Sequence, residues 1–350
     1  MAVQPIILST GLAVSLFIQH TATPIAGAWF FIVMCACGSW AYKENHEDWD
    51  GIHYAAFLWL MYIFVHGFII KPKFGGMIYM SVFSVTPFIF LCLPKKHLQL
   101  CIQLCGVILA VYAGALVMTY IETGYRAAWP LLNANNAAAI INFGLIPAVV
   151  LFSQRRDLET GALAFIFTCG MLATQSKGGI IAALISLSLY YWVTNPKCRL
   201  YLIGIVTAGI SAIVFLIRPG FHNIKTRLEI WDTSLQLLQV DELFGTGWGT
   251  FGGYYKIIRT ESKTAGMFAH NDLLQILIEG GAIGLLIFSG VIGYIAYKTT
   301  KANLLPACVM LAILIHSQIS FHFYIASVNI LMGAALSYWY HTGKEPKSHE

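Results

Sequence analysis

Charge is scarce in this sequence. Only 11% of its 350 residues are Asp, Glu, Lys or Arg, against roughly 25% in ordinary soluble domains. So little charge excludes a conventional water-soluble enzyme or a solvated binding module, and no nucleic-acid partner is expected. The opening "MAVQPIILSTGLAVSLFIQH" has no lysine or arginine. It therefore lacks the n-region of a cleaved secretory signal and is expected to be a first membrane span. Eight cysteines are present, but their spacing suits neither a disulfide framework nor a zinc site, and they read as buried small hydrophobes. The glycine-rich "GTGWGTFGG" has no Lys-Ser/Thr ending and follows no strand, which excludes a nucleotide-binding loop. No internal repeat or low-complexity segment stands out.

What is abundant is apolar sequence, at 58% of residues. Runs of about 16 to 23 residues recur, long enough to cross a hydrocarbon core of about 30 Å. They predict an all-α integral membrane protein, a single polytopic domain over residues 1–350. About twelve helices are expected, near 5–20, 25–42, 52–70, 77–93, 98–120, 137–153, 158–174, 178–193, 200–218, 270–297, 304–320 and 324–340. Lys43, Lys95, Lys96, Arg155, Arg156, Lys197, Arg199, Lys298 and Lys301 fall in one set of short loops, with Lys344 and Lys347 in the tail. The alternate short loops hold only Lys71, Lys73, Arg126 and Lys177. The basic set is expected to be cytoplasmic, with both termini on that side.

One loop differs from the rest. Residues 219–269 form a long outer loop, expected to be periplasmic, in which Ile224, Leu228, Trp231, Leu235 and Leu238 recur every three or four positions. That spacing predicts an amphipathic helix on the membrane surface or on the bundle. The loop runs on through "DELFGTGWGTFGGYY" to "HNDLLQILIEGGAIGLLIF" at the start of the expected helix 270–297. Loops of this length in a compact protein are more often functional than idle.

Ionisable groups at membrane depth are costly and mark candidate sites. His270 stands at the outer interface with a side chain suited to general-base work; an interfacial cap is the alternative. Asn271 suits a helix cap, and Asp272 suits the positive helix end. Asp272, Gln275 and Glu279 make one polar stripe. Glu279 is expected roughly 13 Å along the axis from His270, too far to be its immediate partner, and reads as a structural anchor or cavity-lining group. Arg126, Lys177 and Arg227 place three cations on one membrane face, an arrangement that suits a pyrophosphate. His316 and His322 have no metal spacing and are expected on different helix faces, in hydrogen-bonded helix contacts.

Taken in order, "YRAAWPLLNANN", "TQSKGG", "TRLEIWDTSLQLL…LFGTGWGTF" and "HNDLLQILIEGGAIGLLIF" resemble the O-antigen ligase / Wzy-polymerase superfamily of bacterial membrane glycan transferases. The likeness spans most of the chain, although its first hundred residues add only hydropathy. It implies a GT-C-like, inverting, metal-independent transferase of the inner membrane, working on the periplasmic side without a cofactor. The donor would be an undecaprenyl-pyrophosphate-linked glycan. By the same resemblance His270 matches the essential loop histidine, Arg227 the loop arginine and Arg126 the arginine after the fifth helix. Lys177 falls where many members carry Ser-Arg-Gly; lysine keeps the charge and loses the bidentate fork.

The acceptor implied is a hydroxyl of lipid A–core, of another carrier-linked glycan, or of a protein. These give an O-antigen ligase, a polymerase or a protein O-oligosaccharyltransferase. One sizeable outer loop in a compact chain favours the ligase. A lipid-linked oligosaccharide flippase is the rival from another class. It should show mid-depth charges on several helices and repeat symmetry, whereas here the cations gather at one face.

Overall fold

The computed structural model describes residues 51–71, 93–131, 133–198, 221–259, 267–299 and 303–343, with positions 80, 86, 87 and 89–91. The expected helices near 5–20, 25–42 and 200–218, and most of that near 77–93, lie outside the described residues. Among the described residues the chain is helical and contains no strand. Its elements are α1 (Gly51–Val65, continued by a π-turn at His66–Ile70), α2 (Lys95–Thr123), α3 (Ala134–Arg155), α4 (Leu158–Thr174) and α5 (Lys177–Thr194). After them come α6 (Phe221–Leu235, continued by a 3₁₀ turn at Gln236–Val240), α7 (Phe251–Ile258), α8 (Asp272–Thr299), α9 (Leu304–Ser317) and α10 (Ala326–Gly343).

Local chemistry sets many of the boundaries. Asn133, Asp157, Ser176 and Asn303 each accept a backbone N–H of the helix they precede, opening α3, α4, α5 and α9. Gly124, at φ 69°, closes α2 in the left-handed conformation that glycine adopts without strain.

Gly51–Ile70, Lys95–Thr123, Ala134–Arg155, Lys177–Thr194 and Asp272–Lys298 are long and apolar enough to cross a membrane; Leu158–Thr174 and Leu304–Ser317 are shorter apolar helices. Large apolar side chains cover the outside: Val107, Val111 and Met118 on α2, Phe165 and Leu172 on α4, and Leu286 on α8 are all exposed. Such a surface would drive association in water, but it is the ordinary exterior of a bundle in lipid. The chain is a membrane protein.

At the centre is α3. Ala137, Ala138, Ala139, Ile140 and Ile141 are consecutive and have no exposed surface, so this helix is enclosed on every side. Its run of alanines lets neighbours approach closely, and α4, α5 and α9 pack against it.

The expected helix 270–297 is corrected in one respect: α8 is not continuous. Gly281 breaks it, with φ 70° and ψ −176°, in a region open to glycine but not to most residues. The backbone of the 242–247 loop fills the break. Thr246 N–H donates to the Ile278 carbonyl at 2.8 Å and Gly247 N–H to that of Glu279 at 2.9 Å. In return, Ala282 N–H donates to Glu242 at 2.9 Å, and the Tyr62 hydroxyl donates to the Gly280 carbonyl. A break inside an apolar helix frees backbone polar groups that lipid cannot satisfy, and here another stretch of protein satisfies them. Contact is too close for side chains: a Cβ on Gly281 would overlap the Leu243 carbonyl, and one on Gly245 would stand 2.6 Å from Gly281 N.

Candidate active site

The amphipathic pattern of the long loop folds as α6, and Trp231 shows how it docks. The indole Nε1–H donates to the Ala269 carbonyl at 2.9 Å. Arg227 lies one turn earlier on the same helix face and is drawn to the mouth of the bundle beside His270. Partial burial lowers the Arg227 pKa, and the Arg126 charge lowers it further. The second of these causes reflects two like charges near enough to repel. Arg227 has no hydrogen-bond or ion-pair partner among the described residues.

Arg126 is strapped down from the other side. Its Nε–H donates to the Thr174 carbonyl at 3.2 Å and its Nη2 to Asn135 Oδ1 at 3.4 Å. Partial burial lowers its pKa. Asn135 Oδ1 also accepts from Ser176 Oγ at 2.8 Å, which joins the start of α3 to the start of α5. Lys177 is the next residue, at the first position of α5, with its side chain exposed.

His270 precedes α8 in the left-handed conformation, φ 52°, which is uncommon outside glycine. Its ring meets Phe321 edge-on, with centroids 5.2 Å apart, and Phe321 stacks on Phe268. Nδ1 is buried without a hydrogen-bond partner among the described residues. Burial, aided by the Arg227 charge, pushes its pKa down to about 4. At neutral pH the imidazole is therefore uncharged and has a lone pair to accept a proton.

Below the mouth, the polar stripe of α8 faces partners. Asn271 Oδ1 caps the helix by accepting from Leu274 N–H at 3.0 Å. Asp272 Oδ2 accepts from the N–H groups of His322 and Phe323, at 2.8 and 3.1 Å. Glu279 has no exposed surface. Its Oε1 accepts from Phe251 N–H at 3.1 Å and from Gln275 Nε2 at 3.3 Å, and its Oε2 from the Tyr324 hydroxyl at 3.1 Å. The carboxylate thus ties α8 to α7 and to the turn before α10.

His316 and His322 are a correction. They are not on two faces of one helix, because α9 ends at Ser317 and the chain doubles back. The two rings lie 4.2 Å apart by centroid, and none of their four nitrogens has a hydrogen-bond partner among the described residues. Burial, then the neighbouring His316, hold His322 well below the usual histidine range. Room for His316 comes from the Lys177 turn, since a Cβ on Gly178 would stand 3.0 Å from its Cδ2. The diglycine after Lys177 was the available signal. Among the described residues, no three His, Cys, Asp or Glu side chains form a metal cage.

One apolar cavity of about 310 Å³ lies between α8, α9 and α10. It is lined along α8 from Ile276 to Ala296, along α9 from Leu314 to Leu304, and along α10 from Asn329 to Trp339. Fold and site together define a membrane protein, helical throughout its described residues, with a cationic mouth, a neutral histidine at its edge and an apolar slot between α8, α9 and α10. Residues 162–289 match the family model described as O-antigen ligase, a match that supports membership of the O-antigen ligase superfamily. The match takes in Lys177, Arg227, His270 and Glu279, and supports a glycan-transferring protein of ligase or polymerase type. No curated protein matches the chain.

Proposed function

We propose that the protein transfers a glycan from an undecaprenyl-pyrophosphate carrier to an acceptor hydroxyl on the periplasmic side of the bacterial inner membrane, as an O-antigen ligase acting on lipid A–core. The observation that carries this is the pair Arg126 and Arg227. Cations kept for structure stand beside carboxylates, whereas the Arg126 charge disfavours that of Arg227, and Arg227 has no hydrogen-bond or ion-pair partner among the described residues. A ligand with two adjacent phosphates supplies the missing negative charge. The slot beginning at Ile276 suits the isoprenoid tail of such a donor. Favouring the ligase over a polymerase or a protein transferase is the single long outer loop of a compact chain.

The chemistry is a direct displacement without a metal. His270 takes the proton of the acceptor hydroxyl as its oxygen attacks the anomeric carbon of the donor sugar. The bond from that carbon to the pyrophosphate oxygen breaks on the opposite face, so configuration inverts. The electron pair stays on the pyrophosphate, whose charge Arg126, Arg227 and Lys177 balance. Donor binding also offsets the Arg227 charge that weakens His270, so the base strengthens when substrate arrives.

The test is complementation of a deletion strain with wild type and His270→Ala at matched membrane levels, following surface glycan and its lipid-linked precursor. Loss of the conjugate with accumulation of precursor outside the inner membrane is expected, and the missing conjugate names the acceptor. Full restoration by the variant would remove His270 from the chemistry.

A further inference from the structure

Arg227 and His270 belong to different segments, so the covalent chain alone does not fix their separation. The Ala269 backbone ties the two segments together. Its carbonyl accepts from Trp231 Nε1 at 2.9 Å, and its N–H donates to Gln275 Oε1 at 3.0 Å. Trp231 follows Arg227 by one helical turn, which puts both on the same face of α6. Gln275 is held in turn by Glu279, and Glu279 by the Phe251 N–H and the Tyr324 hydroxyl.

We propose that Trp231 and Gln275 are positioning residues that clamp the backbone on either side of Ala269, and so hold His270 and Arg227 at their working separation. The inference rests on the glycan-transfer reading above and gives the Arg-x-x-x-Trp spacing a physical reason: the arginine meets the donor while the tryptophan fixes where the base stands. His270 needs such support. Its left-handed backbone, φ 52°, is a conformation that persists only where surrounding contacts over-determine it. Neither clamp residue touches the reacting atoms. Their removal therefore misplaces the base without removing a donor contact.

The experiment uses the full-length protein in lipid nanodiscs, with undecaprenyl-pyrophosphate-linked glycan purified from the deletion strain as donor. The acceptor is the one that complementation identifies. Trp231→Phe keeps the aromatic ring and loses the N–H donor; Gln275→Leu keeps the volume and loses both hydrogen bonds. Each is expected to lower kcat about 10- to 100-fold, since a small misplacement of a base costs that much, while the KM for donor stays within about threefold. The double variant should be no slower than the worse single one, because both residues hold one backbone segment.

Unchanged kcat in both variants would overturn the proposal. So would a raised KM at constant kcat, or losses that multiply in the double variant, as independent structural damage does. Should Gln275→Leu not fold, the kcat-against-KM split of Trp231→Phe decides alone. His270→Ala in the same assay separates the two readings. If it still turns over, glycan transfer by His270 falls and takes the clamp with it; if it is inactive while both clamp variants work at the wild-type rate, only the clamp falls.

Discussion

Two neighbouring regions handle buried polarity in opposite ways. At the seam where the 242–247 loop fills the break in α8, polar groups are paired. The Ile278, Glu279 and Gly280 carbonyls all accept hydrogen bonds, and both carboxylate oxygens of Glu279 are used. At the mouth, among the described residues, Arg227 has no counter-ion, Nδ1 of His270 has no partner, and four ring nitrogens of His316 and His322 are left over. Buried polar groups without partners destabilise a fold, so a cluster of them beside cations is a natural place for a ligand to meet them. On the proposed function, the hydrogen-bonded backbone and carboxylate of the seam are scaffold, and the unpartnered groups of the mouth are where the donor binds.

Substitutions can break this contrast. The largest effect on folding belongs to the seam. Glu279→Ala removes the acceptor of the Phe251 N–H, the Tyr324 hydroxyl and the Gln275 amide, at about 1–3 kcal/mol for a buried donor left unsatisfied, and Gly281→Ala forces a Cβ onto the Leu243 carbonyl. Both should give little folded protein by size-exclusion profile and thermal unfolding in detergent. Normal yield from Glu279→Ala would erase the distinction between the regions. His270→Ala should behave the other way, folding at wild-type yield and losing roughly 10²- to 10⁴-fold in transfer rate.

Smaller effects sharpen it. Arg227→Lys keeps the charge and loses the planar fork, so the donor KM should rise about tenfold while unfolding temperature holds. The pH profile carries a sign. His270 must be uncharged to accept a proton, and its pKa lies at about 4. Activity as kcat/KM should therefore hold from neutrality into mild acid and fall only as pH drops through that value. Arg227→Gln removes a positive charge that opposes the imidazolium, so its acid limb should move up toward the ordinary histidine value. A limb that stays in place would separate Arg227 from His270. The smallest change expected is that of Lys177→Arg, within about threefold in transfer rate, since the charge and helix position are kept.

Much of the scaffold is legible from hydropathy alone, because an apolar run of sufficient length has few alternatives in lipid. The runs near 98–120 and 158–174 appear as α2 and α4, the latter with the same bounds. The break in α8 is not legible. A diglycine in an apolar helix equally signals close packing, and only the loop arriving from more than thirty residues earlier makes it an interruption. His316 and His322 mislead for a related reason: helical periodicity was carried past Ser317, where the helix stops. Arg227 and Trp231 show the remaining limit. Their spacing places them on one face, but the Ala269 carbonyl that receives the indole belongs to another segment, and no local pattern names it.

The filled break has a consequence for the design of chimeras. Glu242–Gly247 and Ile278–Ile283 are distant in sequence, yet they exchange backbone hydrogen bonds in both directions. They form one inheritable unit. A graft that brings in a foreign outer loop should therefore bring the matching stretch of α8 with it. Grafted alone, the loop would face carbonyls spaced for a different partner, at a depth where no water can stand in.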